Sequence, residues 1–546
     1  MNMPGLIPGV IVALGLSAAS GLAAERYDVI IRHGRVVDGT GAPWYLADVA
    51  IQEGRIAKIG PLENATAAVE IEARGLIVAP GFIDMMGQNA TGFLTDPAIA
   101  TNLLAQGITT INAGEGESAA PLVGEQAQKA GWSSFAEYFA RLEKTGMPLN
   151  IVQTVGHTQV RKAVLGEVDR RPLPAELEQM RQLVRESMQA GTIGVSTALI
   201  YPPAVYATTE EIVELVKVAG EFHGGYYTHM RNEGNQLLEA IEEAIEIGQK
   251  AGTRVHIFHL KAAGEQNWPK MEQAIARIKT ARAAGHQVAA DIYPYVFNGL
   301  GIAAFIHPRH AAEGHAQLKR KLDDPALRAE IRQEMETRDD YENWYRHTGR
   351  NWDRVFLGGL GGTKLDKFGG RSIAFIAREL SQDPWDVFFE TCRLDAMALP
   401  QTMPEANVIR AMREEFVSFC TDAGPASDPG LASHPRAYGA YPRILGRYVR
   451  DLGVLSVERA VSKMSALAAN EILQYDRGRL ATGLAADLAI FNPQTITDRA
   501  DLTDPHALAE GMQYVLVNGQ VVFKEGKYTG AKPGRVLRGP GYQPAR

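Results

Sequence analysis

Between residues 80 and 475 the chain alternates short apolar runs with longer two-faced stretches. TTINAG, LNIVQTVG, TIGVSTALI, GGYYTHM, RVHIFHL, QVAADIYPY and SFCTDAG are dense in apolar residues. Such runs predict buried strands. Between them, TTEEIVELVKVAGEFHG and QLLEAIEEAIEIGQKAG place apolar residues three and four apart, the period of a helix with one buried face. Thr208 and Thr209 ahead of Glu210 and Glu211 predict a helix start. With GFID before them, the runs supply about eight strands, and strand–helix alternation of this kind predicts an α/β fold, a (β/α)8 TIM-like barrel. The stretch from about 297 to 355 breaks the alternation. It is rich in charge and in Trp, Tyr and His, and predicts an insertion late in the barrel that covers one face.

The two ends of the chain read differently. YDVIIRHGRVVDGTG, DVAIQEGRIAKIG and AVEIEARGLIVAPG cluster β-branched residues between glycines, and GRLATGLAADLAIFNP and YVLVNGQVVFKEGKYTG echo them at the far end. These patterns predict short strands and turns. One small β-sandwich domain is therefore expected from residues 26–78 and 476–546, bracketing a barrel over 79–475. Residues 1–24 hold an apolar stretch ending in small residues before Glu25. It predicts a secretory signal peptide, a periplasmic or secreted location, and no stable membrane insertion after cleavage. No Lys or Arg precedes the stretch, so a retained anchor is the alternative.

Composition narrows the function classes. A net charge of −7 over 546 residues, with no basic block, gives no reason to expect nucleic acid. Cys392 and Cys420 are the only cysteines, too few for a disulfide framework or a cysteine-rich zinc site. Cys420 reads as a small buried residue, on the same strand face as Asp422. No repeat or heptad marks an interface, and a homo-oligomer is left open.

Catalytic side chains of a barrel sit at the C-terminal ends of its strands. Four polar residues end strand-like runs: Glu115 in INAGEGES, His229 in YYTHMRNEG, His259 in HIFHLKAAG and Asp422 in FCTDAGPAS. One carboxylate and two histidines can hold a zinc ion and leave a position for water. Each has a plainer alternative: a structural histidine, a tight Gly-Glu-Gly turn, or an aspartate capping a helix.

The stretches APGFID, QGITTINAGEGESAAP, VGHTQVR, GVSTALIYPPAVYA, THMRNEG, HLKAAG, DIYPY, CTDAG, HPRAYGAYPRILGRYVRD and GMQYVLVNGQVV resemble the D-aminoacylase (N-acyl-D-amino-acid deacylase) branch of the amidohydrolase superfamily. The resemblance implies a TIM-like barrel, a flanking β-sandwich and a late insertion. It implies metal-binding roles for His229 and His259, and for Asp422 a role in binding the hydrolytic water and shuttling its proton. Many members have a cysteine where this chain has Glu115, so Glu115 is read as the replacing ligand, a valid one for zinc. Arg436 in HPRAYG matches the arginine that pairs with a substrate carboxylate, a task its planar fork suits. Lys261 and Tyr293 match other substrate-side positions. Their plainer alternatives are a solvent-facing lysine and a packed tyrosine. His157 either contacts substrate or braces the fourth strand.

The chain also departs from the family after its first strand. Two-metal members hold a second ion with His-x-His after the first strand, where this chain has Met86 and Gln88. Methionine and a glutamine amide are poor zinc ligands. One tightly bound zinc ion is expected, with the second position impaired. The expected reaction is hydrolysis of the amide bond of a small molecule, an N-acyl amino acid. Alternatives are a dipeptide, a cyclic amide or another carboxamide, or an inactive binding protein that keeps the fold. Only the resemblance selects D over L.

Overall fold

The computed structural model describes residues 1, 25–360, 363–426 and 433–544. The segment expected as a signal peptide, residues 2–24, lies outside the described residues. Among the described residues no helix is long and apolar enough to cross a membrane.

Strands Arg26–Val36, Tyr45–Gln52, Arg55–Gly60, Thr66–Glu72 and Ile77–Pro80 join Leu488–Phe491, Met512–Val517, Gln520–Lys524 and Lys527–Tyr528 in one nine-stranded sheet. Arg26–Val36 changes partner along its length. Its first part pairs with Thr66–Glu72 and its end with Ile77–Pro80, across an irregularity between Ile31 and Gly34. The sheet therefore encloses its own core of Val29, Ile31, Val49, Ile51, Leu488 and Leu516. The β domain at the two ends of the chain is thus present, and extends to Pro80. The last residues do not belong to it. Met147 bridges Pro533 and Gly534, and Leu537 donates to Ile151 at 2.8 Å, so the C-terminal segment straps the barrel beside its third strand.

The barrel strands run Phe82–Asp84, Ile108–Ala113, Asn150–Gln153 continued by residues 155–156, Gly194–Ala198, Gly225–His229, Arg254–Ile257, Val288–Ile292 and Val417–Phe419. Neighbours pair in parallel. Ile193 donates to Gln153 at 2.9 Å between the third and fourth strands, and Thr421 donates to Asp84 Oδ1 at 2.8 Å where the eighth meets the first. Almost every residue of these strands is buried. That explains the continuous apolar runs, because helices cover the outside and residues fill the inside. Helix Thr209–Glu221 begins where the sequence predicts, with Thr208 accepting from the Glu211 amide.

The insertion is longer than 297–355. Between the seventh and eighth strands, Leu300–Gly301, Val355–Leu357 and Met397–Pro400 form a small antiparallel sheet. A separate core of Trp344, Trp352, Trp385, Phe388 and Ile373 packs against it. The helices Ile373–Leu380 and Pro384–Arg393 look like ordinary barrel helices in sequence, which is why the aromatic segment alone stood out.

Candidate active site

At the C-terminal end of the barrel a cavity of about 380 Å³ is lined by residues from several strand ends and from the insertion. Glu115 follows the second strand, His229 ends the fifth, His259 follows the sixth, and Asp422 follows the eighth. Tyr293 comes directly after the seventh, and Arg436 opens helix Arg436–Arg443. The structure thus brings together seven of the eight residues singled out from sequence.

The backbone is bent to do this. His259, Asp422 and Gln88 hold left-handed φ values of 35°, 49° and 53°. Such geometry costs non-glycine residues energy and gathers at functional sites. Glu115 stands between Gly114 and Gly116, with φ of 99° and 74°. A Cβ on Gly116 would lie 2.6 Å from the Ala198 amide nitrogen. The tight turn and the functional carboxylate are therefore one feature. Asp422 leaves the strand direction after Phe419, so it does not share a strand face with Cys420, which is buried.

Glu115 Oε1 is 2.9 Å from His229 Nδ1 and 3.1 Å from His259 Nε2. The three side chains offer ligand atoms within 4.8 Å of one another and could hold a metal ion. Two imidazoles and a carboxylate suit zinc with a position left open. Burial opposes the charge on Glu115, but hydrogen bonds from His229 and His259 outweigh it and hold the carboxyl well below its ordinary range. Burial and Lys261 lower His259, yet Asp422, Glu233 and Glu115 lift it to about 9. Three carboxylates face this point against Lys261 and Arg436, an arrangement that favours an added cation.

Glu233 is the residue sequence reasoning missed. Its Oε1 is 3.1 Å from His259 Nδ1, 3.7 Å from His229 Nε2 and 2.7 Å from Lys261 Nζ. One buried carboxylate therefore faces the outer nitrogen of both histidines, the usual means of orienting metal-binding imidazoles. The signal was present, four residues after His229 in HMRNEG. Lys261 lines the cavity, but its ammonium donates to Glu233, the carboxylate that also faces His259 Nδ1. His157 lies outside the cavity lining. It is buried against Glu211 at 3.0 Å, and Arg161 grips the same carboxylate. Its contact ties helix His157–Leu165 to helix Thr209–Glu221, away from the substrate-side position expected of it.

Asp422 is buried, and burial raises its carboxyl while Arg436 and His259 oppose the rise. Arg436 Nη1 pairs with Asp422 Oδ2 at 2.5 Å, and its guanidinium lies 4.7 Å over the Tyr293 ring. Among the described residues, Arg436 Nε and Nη1 and Tyr293 Oη are buried without an aligned hydrogen-bond partner, so the Nη1–Asp422 contact is a charge pairing. Burial holds the Tyr293 phenol well above its ordinary value, so it is a donor. The insertion closes the far wall with Asn298, Leu300, Trp344 and Met397.

Comparison with known proteins gives the family. The signature described as "Amidohydrolase family" matches residues 69–523. The chain belongs to the amidohydrolase family. Within it the chain falls in the D-aminoacylase branch. It is 32% identical over 531 residues to a D-aminoacylase of Alcaligenes xylosoxydans xylosoxydans, covering 94% of this chain and 98% of that one. A crystal structure of N-acyl-D-glutamate deacylase from Bordetella bronchiseptica, complexed with zinc and a phosphonate inhibitor that mimics the tetrahedral intermediate, superposes with a TM-score of 0.79 at 31% identity. It covers 94% of this chain and 100% of that chain. A D-aminoacylase structure concerned with one-metal activation and second-metal attenuation gives a TM-score of 0.78 at 31% identity over the same shares. As a member of this branch the chain is a metal-dependent amide hydrolase acting on carbon–nitrogen bonds other than peptide bonds.

Proposed function

We propose that this amidohydrolase removes the acyl group from N-acyl-D-amino acids, using a single zinc ion. The observation that carries the reading is the meeting, in one cavity, of a two-histidine, one-carboxylate set with Asp422 and with the unspent donors of Arg436 and Tyr293. The preference for D substrates rests on the relatives, and the single ion on Met86 and Gln88 standing where two histidines would be needed.

Glu115 Oε1, His229 Nδ1 and His259 Nε2 would hold the zinc ion, whose chemistry is to polarise the amide carbonyl and acidify a water molecule. Arg436 presents a planar fork to the substrate carboxylate, and the Tyr293 hydroxyl adds a donor beside it. That grip fixes the scissile amide relative to Asp422. Asp422 accepts the proton of the attacking water and delivers it to the amide nitrogen as the carbon–nitrogen bond breaks. Its ion pair with Arg436 favours the ionised, proton-accepting form. The products are a carboxylate and a free amino acid. The insertion encloses the cavity and limits water during the step.

A panel of N-acetyl D-amino acids, their L enantiomers, the matching carboxamides, dipeptides and cyclic amides tests this reading. Hydrolysis of the D acids far faster than of the L enantiomers and the carboxamides supports it. Turnover of dipeptides or cyclic amides alone would replace it. Export is part of the same proposal, supported by the apolar stretch over residues 2–24, and cell fractionation tests it.

A further inference from the structure

Gln88 lies between the two carboxylates that face the cavity. Its Nε2 donates to Glu115 Oε2 at 2.7 Å and to Asp422 Oδ1 at 2.9 Å. Ionised carboxylates only accept, so the nitrogen of the carboxamide, not its oxygen, must face them. Both amide hydrogens are thereby spent, and a delocalised amide nitrogen has no lone pair to offer a metal. A point between two anions is where a cation would be drawn. Here it is filled by a neutral group with two donors on one atom. The contact also takes up Glu115 Oε2, while Oε1 faces the two histidines. Glu115 therefore turns Oε1 to the point between the histidines while Gln88 holds Oε2.

The surrounding chain is built to hold this arrangement. The Gly87 amide donates to Asn112 at 2.8 Å, and the Gly114 amide donates to the Gln88 carbonyl at 2.8 Å. Met86 is fully buried and its amide donates to Asp84 Oδ1. A Cβ on Gly87 would lie 2.6 Å from Ile111 Cβ. The segment Met86–Gly87–Gln88 is pinned to the first two strands, which fixes the backbone from which Gln88 reaches the two carboxylates.

We propose that the Gln88 carboxamide stands in the place of a second ion, fixing Glu115 and Asp422 at a set separation and keeping the site to one metal. The proposal rests on the reading that Glu115, His229 and His259 hold that metal. Gln88 is a positioning residue. It fixes Asp422 Oδ1 while Arg436 holds Oδ2, so the carboxylate keeps one orientation toward the water it deprotonates.

Equilibrium dialysis of the full chain against excess zinc, read by metal quantitation, is expected to give one ion per chain. Gln88→Glu sets three carboxylates around the same point and is expected to take up a second ion. Gln88→Leu keeps the size and removes both donors. It is expected to retain one ion and to lose about 10–100-fold in kcat, with KM changed less than about twofold. Two ions in the unsubstituted protein, one ion in Gln88→Glu, or an unchanged kcat in Gln88→Leu overturns the proposal. No ion in any of the three overturns instead the metal reading on which it rests.

Discussion

Replacing Arg436 separates substrate binding from the rest of the chemistry. The guanidinium is buried, pairs with Asp422 Oδ2 at 2.5 Å, lies over the Tyr293 ring, and keeps Nε free of protein partners among the described residues. A substrate carboxylate arriving there would gain a charge-assisted, forked contact away from bulk water. Removing one partner of such a buried pair costs about 3–5 kcal/mol. At about 1.4 kcal/mol per tenfold, Arg436→Met is expected to lower kcat/KM for N-acetyl-D-amino acids by roughly 10²–10³ or more. Arg436→Lys keeps a point charge without the fork, and is expected to fall between the variant and the parent. The matching carboxamides have no anion to offer Arg436. Their slow hydrolysis is expected to fall by a clearly smaller factor than that of the acids, the part due to Asp422 losing its partner. The assay is kcat/KM on both series with parent and variant. An equal loss on acids and carboxamides would mean that Arg436 serves only Asp422, and would refute the carboxylate-binding argument.

Two further predictions follow from buried carboxylates. Glu233→Gln removes the charge facing the outer nitrogens of His229 and His259, and is expected to weaken zinc binding by about 10–100-fold. Competition with a chelator measures this, and an unchanged affinity would remove Glu233 from the site. Asp84 is held up to about 7 by burial, against hydrogen bonds from Thr421 and Met86. A carboxyl raised in the folded state contributes stability that is complete below its ordinary value of 3.8 and is lost as pH rises through about 7. That contribution amounts to about 4 kcal/mol at most. The parent protein is therefore expected to lose more melting temperature than Asp84→Asn between pH 4 and pH 8. Parallel losses would contradict the raised carboxyl.

Much of this molecule is legible in its sequence because buried parallel strands and the helices that cover them leave strong periodic signals. Glu115, His229, His259 and Asp422 could be picked out because strand ends are where a barrel exposes chemistry. Length relations across the chain were harder to see. The insertion's reach to Pro400 is hidden because its later helices carry the same apolar spacing as barrel helices, and the C-terminal strap looks like one more stretch of β domain. Side-chain direction was the least legible. Lys261 sits at the expected place yet spends its charge on Glu233, and His157 turns to Glu211. Gln88 reads as a lost ligand in sequence, while in the fold it is a donor to two carboxylates. No local pattern announces that, because its partners lie 27 and 334 residues away.

The most direct measurement is an activity titration. Protein stripped of metal with a chelator is given zinc in steps, and hydrolysis of an N-acetyl-D-amino acid is followed at each step. Activity is predicted to rise in proportion to zinc and to break at one ion per chain. A break at two ions, or no hydrolysis at any zinc level, would contradict the account.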